Sequence, residues 1–134
     1  MIKEHILRFI QNNRSIALVE LAIIIPIFLI LLVGIVEFSW IYNGHITLTG
    51  AAREGARVAA VNGDYENAIN NHINKLPRLS VGTPNVSGGE SQGDNITVEL
   101  SGGIALLTGF FPFLDDPFPL FASATMRRQY ADID

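Results

Sequence analysis

Two carboxylates stand where an acid is costly. Glu20 lies inside the apolar run Ile16 to Val36, and Glu37 follows the run directly. A carboxylate in hydrocarbon must be neutralised, paired with a cation or led to the interface, so its chemistry there is charge pairing. A second charged group, Arg53, Glu54 and Arg57, falls at helical spacing, with Glu54 three residues before Arg57, which suits a solvated and weakly paired helix face. The histidines, His5, His45 and His72, have no partner at metal-ligand spacing. Asp115 and Asp116 are adjacent, which fits a turn or helix start better than acid–base work. Cysteine is absent, which excludes a thiolate metal site, a thiol nucleophile and a disulfide framework. No catalytic constellation assembles, and the sequence predicts neither enzyme activity, nor a cofactor, nor a bound metal.

The element that positions both acids is the apolar run. About twenty helical residues rising about 1.5 Å each match a hydrocarbon core of about 30 Å. We expect a transmembrane helix over 16–42, bent where Pro26 removes a backbone donor. Phe38, Trp40 and Tyr42 would form an aromatic belt at its outer interface. Residues 1–15 carry Lys3, Arg8 and Arg14 against the single acid Glu4, and the next basic residues are Arg53 and Arg57. That bias predicts a cytoplasmic basic leader over 1–15 and the remainder of the chain outside. An ordinary secretory signal peptide is the alternative; the length of the run, Glu20 within it and the lack of a prompt small-x-small site weigh against it. The net charge of −4, with no basic patch after the leader beyond Arg127 and Arg128, argues against nucleic acid.

Residues 43–134 have the size of one small exported α+β domain. The long helix should extend over 43–61, with Leu48, Ala52, Gly55, Ala56 and Ala59 on one face. That small-residue face serves either a domain core or subunit packing. Gly63 is the expected left-handed helix stop, and Asp64 the cap of a second helix over 64–76 closed by Pro77. Its stripe is Ala68, Ile69, His72, Ile73 and Leu76, with His72 a core or boundary residue. Beyond Ser80 the period becomes that of strands, expected at about 81–86, 95–101 and 121–128. Pro84 marks the first as an edge strand, and in the second Ile96, Val98 and Leu100 should face inward. From Gly103 to Leu120 the chain is rich in Leu, Phe and Pro, including Phe110, Phe111 and Phe113. It is too proline-broken for another span, and is either a loop folded over the sheet or an exposed patch for a partner or membrane surface.

Three blocks in order, Ser15-Ile-Ala-Leu-Val-Glu-Leu-Ala-Ile-Ile-Ile-Pro, Gly34-Ile-Val-Glu-Phe and Ala51-Ala-Arg-Glu-Gly-Ala-Arg57, resemble the TadE-like family, the pseudopilins of tight-adherence (Flp-type) pilus systems. The resemblance covers about residues 14–60. It implies a pilin-like architecture: a long N-terminal transmembrane helix, then a second helix packed on a small antiparallel sheet. It also implies processing by a prepilin peptidase between Ser15 and Ile16, five residues before Glu20, with Ser15 standing where family substrates usually carry Gly. Glu20 would then sit near the new N-terminal amine and pair with it, within one subunit or between neighbours; a snorkelling acid is the alternative. Glu37 resembles the family's second acid, with a plain interfacial position the other reading. Arg53, Glu54, Arg57, Phe110, Phe111 and Phe113 are the candidate interface residues. The implied partners are membrane lipid, the peptidase, other pilin or pseudopilin subunits and pilus assembly proteins, and the implied location is a bacterial inner membrane with the N-terminus cytoplasmic. The function so expected is that of a minor pilin or pseudopilin in assembly of a surface pilus for adhesion or secretion. An uncleaved single-pass scaffold and a structural filament subunit are the rivals, and the shorter length usual for major Flp-type pilins weighs against the last.

Overall fold

The computed structural model describes residues 13–129, which fall into two compact units divided between Val36 and Glu37. The leader up to residue 12, with Lys3, Glu4, His5 and Arg8, lies outside the described residues. The helix α1, Asn13–Ala59, contributes to both units.

In the first unit the apolar run is helical and passes through Pro26 without interruption. Its large side chains from Ile16 to Val36 are exposed, apart from the half-buried Val33. Among the described residues α1 is the one helix long and apolar enough to cross a membrane. A helix that leaves such a surface uncovered within its own chain needs an apolar surrounding, supplied by lipid or by other helices.

The second unit is an α+β domain. It comprises residues 37–59 of α1, the helix α2 (Tyr65–Ile73) and the strands β1 (Leu79–Val81), β2 (Asn85–Gly88), β3 (Asn95–Ile104) and β4 (Phe118–Arg127). Leu48, Ala51, Ala52, Ala56 and Ala59 of α1 are buried in one core with Ile69 and Ile73 of α2 and with Ile96, Val98, Leu100 and Ile104 of β3. The small-residue face of α1 is therefore a domain core. Close approach is the reason for its size: a Cβ on Gly55 would stand 2.7 Å from the Ile69 side chain, and one on Gly44 2.7 Å from Ile104 Cδ1.

The link between the helices is a Schellman stop. Asn62 N–H reaches Ala59 O at 3.1 Å and Gly63 N–H reaches Val58 O at 2.9 Å. The left-handed residue is Asn62, at φ 55°, rather than the expected Gly63. Asn tolerates that conformation, and Gly63 is needed instead because a Cβ there would lie 2.6 Å from Val58 Cγ1. Asp64 caps α2 through Asn67 N–H at 3.0 Å. Regular helix ends at Ile73, short of the expected Leu76, since Pro77 turns the residue before it away from helical geometry.

The sheet is antiparallel with β3 at its centre. β4 pairs with β3 along its full length, from Asn95↔Arg127 to Ile104↔Phe118. The other edge of β3 carries both β2, from Asn85↔Glu99 to Gly88↔Ile96, and β1, from Leu79↔Ile104 to Val81↔Gly102. The single strand expected at 81–86 is thus two short strands, parted at residues 82–84, where Pro84 has no N–H to donate. β3 runs three residues past the expected end at 101, and β4 starts three residues before 121, because the two lengthen together through Gly102 and Gly103. Alternation along β3 turns Ile96, Val98 and Leu100 inward, while Asn95 and Glu99 stay exposed.

Gly55→Val should lower the unfolding free energy of the detergent-solubilised chain by about 1–3 kcal/mol, because a branched side chain would compete with Ile69 for filled space. Asn70→Ala, on the exposed face of α2, should stay within about 0.5 kcal/mol of the parent in the same urea titration.

Candidate functional site

Ser15 and Ile16 are consecutive residues of α1, and Glu20 lies one helical turn further on, exposed with the rest of the run. Among the described residues none forms an ion pair with Glu20.

Arg53, Glu54 and Arg57 lie in the part of α1 that belongs to the domain. Arg57 grips Glu54 with both ends of its guanidinium, Nη2 to Oε1 at 2.6 Å and Nε to Oε2 at 3.0 Å. That forked contact holds the Glu54 carboxyl below its ordinary range and lifts Arg57 above its own. Both groups face solvent, where screening leaves such a pair little influence on stability. Arg53 is exposed beside them and is joined to neither.

Glu37 has a different environment. It is 1% exposed, although it is the first residue after the apolar run. Oε1 accepts Leu107 N–H at 2.6 Å and Oε2 accepts Thr108 N–H at 2.8 Å, while the Thr108 hydroxyl also donates to Oε2. Every partner is a donor, the match for an ionised, acceptor-only carboxylate. Glu37 is thus an internal residue of the second unit. Residues 37–42, the last of the span expected over 16–42, belong to the second unit, and Glu37 and Ile41 are buried in it. Trp40 likewise leaves the expected belt: it is half-buried and its indole N–H donates to Ala105 O at 3.1 Å. Phe38 and Tyr42 remain exposed.

The chain bound by Glu37 is the base of the phenylalanine-rich loop, residues 105–117 between β3 and β4. Its other backbone groups are also engaged. Arg78 donates to Leu106 O at 3.1 Å, and Leu106 N–H donates to Asp116 Oδ1 at 3.1 Å. Leu106 is buried and Leu114 packs on the core, whereas Leu107, Phe110 and Phe113 stay exposed, Phe113 at 78%. One row of the loop's side chains thus closes the core and another is exposed. Phe111 stacks edge-on against both Phe110 and Phe113, with ring centroids 5.5 Å apart in each pair.

Of the candidate residues, the structure thus joins Glu37 to the loop of Phe110, Phe111 and Phe113, and keeps Arg53, Glu54 and Arg57 apart from that junction. Thr108, Arg78, Asp116 and Trp40 escaped sequence reasoning as loop anchors. The Glu37 contacts cross 70 and 71 positions of chain, beyond the reach of any local pattern.

Residues 16–57 match the model of the family described as TadE-like protein. The segment is TadE-like. No curated protein and no solved structure matches the chain. The TadE-like segment contains Glu20, Glu37 and the charged trio ending at Arg57, and it lies in the helix that is long and apolar enough to cross a membrane. It stops before α2, so the Phe-rich loop lies beyond it.

Glu37→Leu should cost about 1–3 kcal/mol of domain stability, since it strips two backbone N–H groups of their acceptor. Thr108→Val, which keeps the backbone donors, should cost about 1 kcal/mol. Urea unfolding in detergent would measure both, with Arg57→Ala expected to leave the midpoint unchanged.

Proposed function

We propose that this protein is a membrane-anchored minor pilin or pseudopilin that takes part in assembling a tight-adherence-type surface pilus, for adhesion or secretion. The observation that carries the reading is the double duty of one helix. Its TadE-like segment is a bare apolar rod over 16–36 and the spine of a folded domain from Glu37 onward. A bare apolar helix can exchange lipid for the helices of neighbouring subunits without changing what its surface demands, which is the property a subunit needs to pass from bilayer to filament.

In this reading the chain sits in a bacterial inner membrane with the N-terminus in the cytoplasm and the domain outside. A prepilin peptidase cuts between Ser15 and Ile16. The new amine, about 6 Å along the helix axis from Glu20 at four rises of about 1.5 Å, gives the acid its cation. In low dielectric that pairing is strongly favoured, and between neighbouring subunits it would set their axial register. Arg53, Glu54 and Arg57 form a polar face available to other subunits or assembly proteins. A second reading, an uncleaved single-pass scaffold, is favoured by one feature: Ser15 occupies the position before the cut where Gly is usual.

N-terminal sequencing of the membrane-bound protein, from cells with and without the peptidase, should give Ile16 in the first and Met1 in the second. Met1 in both would leave the scaffold. Glu20→Leu should insert normally and abolish recovery of pilus in sheared surface fractions; undiminished filaments would remove the pairing role.

A further inference from the structure

We propose that the loop 105–117 is a second membrane contact, which presses Phe110 and Phe113 into the outer headgroup region of the bilayer that holds the helix 16–36. The proposal rests on reading that helix as a membrane anchor. Its ground is covalent continuity. Val36 ends the apolar run, and Glu37, the next residue, holds the loop base through Leu107 N–H at 2.6 Å and Thr108 N–H at 2.8 Å. The loop base therefore lies within one side chain's reach of the point where the helix leaves hydrocarbon, whatever the tilt of the helix.

The loop is built to present its tip. Ala105 O, Leu106 O and the amides of Leu106, Leu107 and Thr108 all have partners, from Trp40, Arg78, Asp116 and Glu37. Gly109, at φ +60°, then turns the chain in a conformation that L side chains rarely adopt. Past this turn stand Phe110 at 54% exposure and Phe113 at 78%, braced by Phe111. Exposed aromatics on a fixed base, with Leu107 beside them, have the composition of an interfacial contact. Residues 105–114 contain no charged side chain and the loop's only charges are the exposed acids Asp115 and Asp116 that follow, so the contact is apolar and draws nothing from anionic lipid. Phe38 and Tyr42, exposed on α1 just past Glu37, extend the same aromatic zone. Lipid is favoured over a protein partner because the anchor places a bilayer beside this loop at all times, whereas a neighbouring subunit arrives only on assembly.

The absence of cysteine permits single-cysteine labelling of the full-length chain. Phe113→Cys, Phe110→Cys, Leu29→Cys and Glu90→Cys would each carry an environment-sensitive fluorophore in phosphatidylcholine liposomes containing shallow or deep nitroxide lipids. Glu90 is the aqueous control. It adjoins Gly89, which Arg128 ties together with Asn62 just past the end of α1, and residues 37 to 59 of that helix rise about 33 Å. The expected result is emission from Phe113 and Phe110 labels shifted to the blue and quenched several-fold more by shallow than by deep nitroxide. The Leu29 label should be quenched by the deep probe and the Glu90 label by neither. A water-like, unquenched signal at 110 and 113 with Leu29 still quenched overturns the loop contact and leaves the anchor standing. A water-like Leu29 label overturns the anchor and the loop contact with it. A blue-shifted but unquenched label at 110 and 113 overturns lipid in favour of a protein neighbour. Phe110 and Phe113 are exposed, so their replacement leaves the core intact, and circular dichroism of each labelled chain verifies this.

Discussion

A carboxylate with almost no solvent contact, directly after the apolar run of a long helix, requires donors from somewhere else in the chain, and the loop 105–117 supplies those seen. Desolvating Glu37 is unfavourable by itself; two backbone amides and a hydroxyl offset that cost by charge-assisted hydrogen bonds. The same contacts satisfy amides in a segment with no sheet partners. The acid and the loop thus stabilise one another, and the end of the helix's apolar run becomes the start of the domain. Were position 37 apolar, the run would continue and the loop base would lose its main acceptor.

From that junction outward, the domain is organised by how closely its elements approach α1. Ala51, Ala52 and Ala56 present almost no side-chain bulk, so β3 and α2 come near the helix backbone and bury Ile69, Val98 and Ile104 against it. Dense packing of this kind lets a domain without disulfides hold a single arrangement. The helix therefore meets opposite demands along its length. Over 16–36 its large apolar side chains stay bare for an external partner, and beyond Glu37 its small ones are covered from within.

The two acids of the TadE-like segment obey the same division. Glu20 forms no ion pair among the described residues. Glu37 is satisfied by its own domain. Although both are glutamates near the run, one is exposed and the other buried and fully bonded, and only their surroundings distinguish them.

What the sequence by itself determined is whatever depends on local pattern. The apolar run, the stop at Asn62-Gly63-Asp64, the alternation of Ile96, Val98 and Leu100 and the α+β class all arise from periodicity and capping chemistry within a few residues. The ends of elements were less legible: Pro84 announced an edge without revealing that the strand would part into β1 and β2, and β3 and β4 lengthen only because each supplies the other's hydrogen bonds. Only the tertiary structure decided the fate of Glu37, Trp40 and the Phe-rich loop. Their partners lie some seventy positions away, and no pattern along the chain shows which amide will meet a buried carboxylate. Local chemistry states that such a charge must be answered; three-dimensional packing determines by what.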